Sequence, residues 1–259
     1  NSSSSDKLTV TTSNSNSSDD VTIYAIEVDG ETLVSGYPRD IDSLTDSPTN
    51  YGTDAQAGGE VRGNYCTLNP LDNGGLALSQ GNLAWTDQGN SGWDSCRGTM
   101  YFSTGKWYWE MEMGTWNGSG APFIIGVADN GMAVTGTELG QNNNSWGFLP
   151  NGQKRHNSST TSHGSTAFAT GNIIQIALDL SGGLGSGKLW VGINGTWQNS
   201  GNPATGANAA WTDIGDNGAV APAIANAGNN TSGAYHMNFG QRAFKYTAPS
   251  GYKALCTQN

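Results

Sequence analysis

A single nine-residue run, residues 105–113, constrains the fold of this chain more than any other feature. Its odd positions carry large apolar side chains and its even positions carry mostly polar ones. The apolar set is Trp107, Trp109, Met111 and Met113, and the intervening set is Tyr108, Glu110 and Glu112. Successive side chains of a strand point to opposite faces. The run therefore predicts a strand with one apolar and one wet face, as in one layer of a β-sandwich.

The rest of the chain adds short apolar runs separated by turns rich in Gly, Asn and Ser. They lie at residues 76–79, 82–85, 98–102, 123–128, 145–149, 172–180, 188–193, 219–224 and 234–240. No long stretch has a helical period of apolar residues. The 38 glycines and the low charged content of 12% also fit strands joined by turns better than exposed helices. These patterns predict an all-β antiparallel sandwich or barrel.

Composition divides the chain into four segments. Residues 1–20 form a Ser/Asn-rich linker, residues 21–34 a β-hairpin that turns at Asp29-Gly30, residues 35–60 an extended tether, and residues 61–259 the main β-domain. An isolated hairpin is marginally stable, so it must pack on something. Because the chain opens without Met or a signal peptide, we expect it to be a piece of a longer or processed protein.

Charge excludes several classes of partner. The formal net charge of −10 disfavours nucleic acids and anionic membrane surfaces, which attract basic patches. No apolar run is long enough to span a membrane. No phosphate-binding glycine loop occurs, so we expect no cofactor. The three cysteines fit no zinc spacing; Cys66 and Cys256 could form a disulfide if the two domain ends are neighbours, and otherwise all three are half-buried thiols.

Seven short motifs occur in an order that resembles the SPRY (B30.2) family. They lie at residues 105–110, 125–128, 146–148, 171–179, 188–190, 194–195 and 237–240. The resemblance covers about residues 61–256 and implies a concanavalin-like sandwich of two antiparallel sheets. The chain departs from the family at Gly192-Ile193, where many members have an aromatic residue and Lys, and in an insert at about residues 198–218. Ligand loops of animal relatives are therefore not transferable.

Two further segments, residues 64–70 and 239–252, resemble SPRY modules of virion and tail proteins from marine bacteriophages. This resemblance implies a non-enzymatic structural or binding module of a virion surface or tail fibre, outside the cell. Its partners would be other virion proteins or copies of itself in a homo-oligomer, together with a host-surface glycan. Residues 1–40 could add to a neighbour's sheet edge and so support oligomerisation.

The sequence gives only weak signals for groups of catalytic residues. Glu110 and Glu112 share one strand face about 7 Å apart, which could suit a glycosidase pair. The third acid of the usual glycanase strand is missing, so a polar outer face is the simpler interpretation. The sequence predicts a structural His236 and two solvated histidines, His156 and His163, in a Ser/Thr-rich loop. No serine-nucleophile elbow occurs.

Metal and ligand sites are predicted from loops. Asp129 with Asn130, and Asp213 with Asp216 and Asn217, could suit calcium, but Asp and Asn are common in turns, and we expect no metal site. Aromatic and amide side chains in Gly/Asn-rich loops could bind a glycan. The candidate ligand-binding residues are Trp116, Asn117, Asn142, Asn143, Asn144, Trp197 and Trp211. The alternative for each Trp is that it caps the sandwich.

Two other functions remain as alternatives to a virion module. The first is a peptide-binding adaptor, the usual role of cellular SPRY domains. The second is a glycan hydrolase of concanavalin-like fold that uses Glu110 and Glu112.

Overall fold

The computed structural model describes residues 63–86, 92–115, 123–227 and 234–259, and the backbone of residues 27–28 and 31–32. The chain divides into two units, Asn1–Asp46 and Ser47–Asn259. In the first unit, β1 (Glu27–Val28) pairs antiparallel with β2 (Glu31–Thr32). The predicted linker at residues 1–20 and tether at residues 35–60 lie outside the described residues, and the four segment boundaries stay predictions.

The second unit contains two antiparallel sheets. Sheet I has seven strands, in spatial order β11 (Ser159–Ser162), β10 (Gln153–His156), β9 (Ser145–Phe148), β8 (Phe123–Asp129), β16 (Val220–Asn226), β6 (Asp94–Gly98) and β3 (Leu68–Asn73). Sheet II has eight: β14 (Thr196–Trp197), β13 (Gly187–Ile193), β12 (Ile173–Asp179), β7 (Lys106–Glu112), β17 (Tyr235–Asn238), β5 (Ala84–Thr86) and β4 (Ala77–Ser79), with β15 (Trp211–Ile214) also paired to β13.

Helix is almost absent from the described residues. A single 3₁₀ turn spans Gln198–Ser200, and no helix among these residues is long and apolar enough to cross a membrane. The prediction of an all-β antiparallel sandwich is confirmed.

The core lies between the sheets and is rich in aromatic rings. Trp109 and Met111 of β7 are fully buried in it, which confirms the predicted inward face of this strand. Trp85 stacks on Tyr235 with ring centroids 4.3 Å apart, and Phe123 lies 4.9 Å from Tyr235. Aromatic side chains bury large apolar areas, so this cluster joins β5 and β17 to β8 across the sandwich.

The outer face of β7 differs from its prediction. Tyr108 is fully buried and Glu110 is only 3% exposed, although alternation predicted a wet face. The segment that follows β17 covers this face: Phe244 and Tyr252 pack with Tyr108 in a second apolar cluster. Local alternation reports which side chains share a face, but a distant segment decides whether that face meets water.

The glycines of two motifs, Gly126 in β8 and Gly147 in β9, lie directly opposite each other in sheet I. A Cβ at Gly126 would lie 1.9 Å from the carbonyl oxygen of Trp146. One at Gly147 would lie 2.5 Å from Cγ2 of Ile124. Such contacts are far inside van der Waals distance, so close packing explains both glycines.

A polar hairpin replaces the loop predicted around His156 and His163. Strands β10 and β11 pair with His156 opposite Ser159. The connecting residues Asn157 and Ser158 have φ of 49° and 60°, as a two-residue hairpin turn with two positive φ values requires. The strand residues are mostly polar and the turn contains no glycine. Neither hydrophobic alternation nor a turn signal therefore predicted this hairpin from the sequence.

The two ends of the sandwich domain are neighbours, but they are not joined by a disulfide. Tyr65 pairs antiparallel with Cys256, and the Cys66 amide donates to the Leu255 carbonyl at 2.9 Å. Because Cys256 is in register with Tyr65, the next residue, Cys66, directs its side chain to the opposite face. All three cysteines are buried thiols. Burial raises the pKa of Cys66 to about 11, so its thiolate is disfavoured.

Candidate functional site

The predicted asparagine loop, Asn142–Asn144, lies between β8 and β9 and is held by its own side chains. The Asn144 amide nitrogen donates to both carboxylate oxygens of Asp129, at 2.9 and 3.0 Å. The Asn142 side-chain oxygen accepts from the Asn144 backbone at 3.1 Å and from the Ser145 hydroxyl at 3.3 Å. Asn143 is exposed. The loop therefore presents a fixed polar surface in which two of its three asparagine side chains serve the fold.

A second predicted loop meets the first one. Asn217 donates from its side chain to the Asn143 carbonyl at 2.8 Å. Asp213 accepts a hydrogen bond of 3.2 Å from the indole of Trp146 in β9. The structure thus brings the Asp213–Asn217 segment beside the asparagine loop, which the sequence treated as a separate loop. In the described part of the chain, no group of three or more His, Cys, Asp or Glu side chains could hold a metal ion.

Buried Arg97 of β6 anchors the segment that precedes the asparagine loop. Its guanidinium donates to both carboxylate oxygens of Asp72, at 2.6 and 2.7 Å. It also donates to the carbonyls of Asp129 and Met132, at 2.9 and 2.6 Å. The fold therefore fixes Asp129, and through it Asn144, from beneath. The sequence did not single out Arg97, because nothing local indicates that a strand arginine is buried.

The two described loop tryptophans do not form exposed platforms. Trp211 is 6% exposed and belongs to the main core, so its prediction as a ligand-stacking residue is wrong for the folded domain. The Lys154 ammonium lies 5.8 Å from its ring centroid and also donates to the Ala210 carbonyl. Trp197 is half-buried and meets Tyr108 edge-to-face at 6.5 Å. Both rings cap or fill the sandwich, the alternative that the sequence left open.

Trp116 and Asn117, the other two predicted ligand residues, lie outside the described residues. The remaining candidates are split between two places: Asn142–Asn144 precede β9 of sheet I, whereas Trp197 packs on the outer face of sheet II. The structure does not bring the described candidates into one site.

A row of polar side chains crosses the outer face of sheet II. Strand register aligns Asn238, Glu110 and Gln175 across β17, β7 and β12. Glu110 is the centre of this row. Its Oε1 accepts from the Tyr108 hydroxyl and the Tyr246 amide, each at 2.8 Å, and its Oε2 accepts from the Lys245 amide at 2.8 Å. The carboxylate therefore fastens the covering segment to the sheet.

Burial raises the pKa of Glu110, against the lowering effects of the three hydrogen bonds and of the nearby Arg242 guanidinium. A raised carboxyl pKa can mark a catalytic acid. Here the two oxygens already hold a phenol and two backbone amides. The carboxyl group thus has a structural task that accounts for its burial.

A cleft opens to solvent beside this row. It has a volume of about 200 Å³, and Glu110 forms part of its lining. The other side chains that matter are Glu112, Ile173, Asn238, Arg242, Phe244 and Lys245. Glu112, Arg242 and Lys245 are exposed, and Phe244 is half-buried. The sequence did not predict this cleft, because residues 242–245 follow β17 without forming a strand of their own.

The histidines are not arranged for nucleophilic catalysis. His156 stacks on Trp146 at 4.7 Å, and its Nδ1 lies 2.8 Å from the Ser145 carbonyl oxygen. His163 packs edge-to-face on Phe148 at 6.2 Å. Burial, with a smaller effect of Lys154, lowers the pKa of His163 to about 4. Both rings are half-buried against aromatic side chains of the core, so they are less exposed than the sequence predicted.

Comparison with protein families gives a match of the SPRY domain to residues 106–242, which is more than half of the chain. This chain belongs to the SPRY family. A SPRY domain is typically a protein-interaction module, and members are generally non-catalytic. No curated protein matched the chain by sequence.

The SPRY fold is also found among solved structures. The crystal structure of the SPRY domain of human HERC1 matches with a TM-score of 0.54 and 14% sequence identity, over 69% of this chain and 99% of that one. At this identity the likeness concerns the fold. The partner of this SPRY domain must be argued from its own residues.

Proposed function

We propose that this SPRY domain is a non-enzymatic binding module of a bacteriophage particle, in a tail fibre or another virion surface protein. The cleft beside Glu110 carries the binding role. Its rim holds Arg242 and Lys245, which are exposed and form no ion pair with another described residue. Exposed cations at the mouth of a cleft, without a close ion-pair partner among the described residues, are available to a ligand.

The virion placement is supported by sequence. Residues 64–70 and 239–252 resemble modules of phage virion and tail proteins, and the Gly-rich, weakly charged composition suits a protein that works outside the cell. The proposed location is the virion surface. The proposed partners are other virion proteins or copies of this chain, and a host-surface glycan.

The structure gives a physical argument against the hydrolase alternative. A glycosidase of the predicted type would need Glu110 free to exchange a proton or attack the sugar. The three donors that hold Glu110 leave it poorly suited to either task. The peptide-binding adaptor stays as the second candidate, since SPRY domains typically bind proteins.

Two experiments test the proposal. Antibodies against the purified chain should decorate intact phage particles in electron micrographs, and a chain missing from purified particles would refute the virion role. The full chain should bind carbohydrates on a glycan array without releasing sugar from any of them. Binding to a peptide library but to no glycan would favour the adaptor, and sugar release would favour the hydrolase.

Oligomerisation through the N-terminal residues is a separate part of the proposal. Light scattering should give fewer chains per particle when residues 1–40 are deleted. An unchanged number of chains per particle would remove this segment from the assembly.

A further inference from the structure

The cleft beside Glu110 has both hydrogen-bond acceptors and donors. Oε2 of Glu110 accepts one bond among the described residues, whereas a carboxylate oxygen can accept about two. The Glu112 carboxylate stands two residues along the same strand, on the same face. Arg242 and Lys245, which also line the cleft, provide charged donors. A ligand here must both give and take hydrogen bonds.

The size of the cleft limits the occupant. Its volume of about 200 Å³ is below the roughly 300–1,000 Å³ of sites for drug-sized ligands. The half-buried Phe244 ring gives the cleft one aromatic side, and Ile173 adds an aliphatic one. The occupant should therefore be a single compact group with one apolar surface.

Charge within the cleft distinguishes a neutral occupant from an ionic one. The lining contains two carboxyl groups, Glu110 and Glu112, and two cations, Arg242 and Lys245, so neither sign is in excess. The chain as a whole carries −10, which disfavours a strongly acidic ligand. Hydroxyl groups can donate to the carboxylates and accept from the cations at once.

We infer that this cleft is a subsite for one neutral, hydroxyl-rich sugar ring, held between Glu112 and Arg242 with an apolar side against Phe244. This assignment rests on the proposed glycan-binding role and places it away from the asparagine loop. The side chains of Asn142 and Asn144 are engaged in hydrogen bonds within the protein. The charged side chains at the rim of the cleft can still form hydrogen bonds with a ligand.

The test is an amide chemical-shift titration of the full chain with methyl glycosides of glucose, galactose and N-acetylglucosamine. At least one should shift the amides of Glu112 and Lys245 with saturable, millimolar affinity, and should leave Asn143 unchanged. Glu112→Gln and Arg242→Gln should each weaken binding about fivefold, the effect of losing one good hydrogen bond. Lys188→Gln is the control, since it lies on sheet II outside the cleft.

Two other outcomes would overturn the assignment, each in a recognisable way, and a third would concern only the proposed function. A response to methyl glucuronide or to an acetylated Gly-Asp-Gly amide, but not to the neutral glycosides, would make the cleft a carboxylate or peptide site. A glycoside that shifts Asn143 and Asn217 instead would move the subsite to the asparagine loop and leave the proposed function standing. Saturable binding at the cleft by a chain that is missing from purified particles would refute the virion role alone.

Discussion

Replacing Arg97 with Met is the sharpest test of how the asparagine loop is held. The side chain of Arg97 is buried and makes four hydrogen bonds, two to Asp72 and two to the carbonyls of Asp129 and Met132. Methionine keeps much of the apolar stem but supplies no donor. The two carbonyls then lose their arginine donors, and the Asp72 carboxylate keeps only its hydrogen bond from the Tyr101 hydroxyl, at 3.2 Å.

The magnitude follows from what each group loses. A buried carbonyl left without a donor costs about 1–3 kcal/mol, and breaking a buried ion pair costs about 3–5 kcal/mol. The Asp72 side chain is 22% exposed and can regain water, so the lower end of the second range applies. With about 1 kcal/mol for each of the two carbonyls and about 3 kcal/mol for the ion pair, we expect Arg97→Met to lower the free energy of unfolding by about 5 kcal/mol, which is a drop in Tm of about 10–20 °C for a domain of this size.

The matched control is Lys106→Met. Lys106 pairs with Asp179 at 3.1 Å, but its side chain is 32% exposed, so the loss should be at most about 1 kcal/mol. Urea unfolding followed by tryptophan fluorescence measures both variants, and amide exchange at Asn143 reports on the loop. If Arg97→Met costs no more than Lys106→Met, or leaves exchange at Asn143 unchanged, Arg97 does not anchor the loop.

Three further predictions concern the scaffold. Gly126→Ala should cost about 3 kcal/mol, because its Cβ would collide with a strand carbonyl, while Gly92→Ala, which meets nothing within 4 Å, should stay within about 0.5 kcal/mol of the parent in the same unfolding assay. Burial holds the pKa of His163 at about 4, below the usual 6.5, so the neutral ring's contribution to stability is complete above about pH 6.5 and is lost as the pH falls toward 4. The parent should therefore lose stability relative to His163→Gln between about pH 6.5 and about pH 4. A difference in unfolding free energy that stays constant over this interval would contradict the reasoning. With Cys66 and Cys256 as buried thiols, a reducing agent should not move the unfolding midpoint, and a thiol reagent should react only after denaturation.

The sequence pattern correctly predicted the buried face of β7 but not the burial of its opposite face. Trp109 and Met111 point inward as alternation requires, since the period of a strand is local and rigid. Tyr108 and Glu110 are buried because a segment more than a hundred residues later lies over them. That segment forms no regular strand over Phe244 and its neighbours, so no periodicity in the sequence could indicate where it packs.

The candidate site was harder to predict for a related reason. Tryptophans in Gly/Asn-rich sequence suggested exposed platforms, yet Trp211 is a strand residue in the core. The opposite error concerned polar strands, which were predicted from the sequence as a loop. Lys154 and His156 belong to a hairpin whose turn has no glycine. Residue type indicates what a side chain can do, but the opportunity to do it depends on contacts between distant segments.

Packing accounts for the glycine at position 192, one of the places where the sequence resemblance led us to expect a different residue. Gly192 lies in the polar row of sheet II, opposite Gln175 on one side and Trp197 on the other. A Cβ at this position would lie 3.1 Å from the Trp197 ring and 3.2 Å from the Gln175 side-chain oxygen. A large side chain at position 192 would therefore have to displace Trp197. We interpret Trp197 as filling, from the neighbouring strand, the space that a large side chain at position 192 would occupy, so the contacts of its ring with Tyr108 and Gly192 belong to the scaffold.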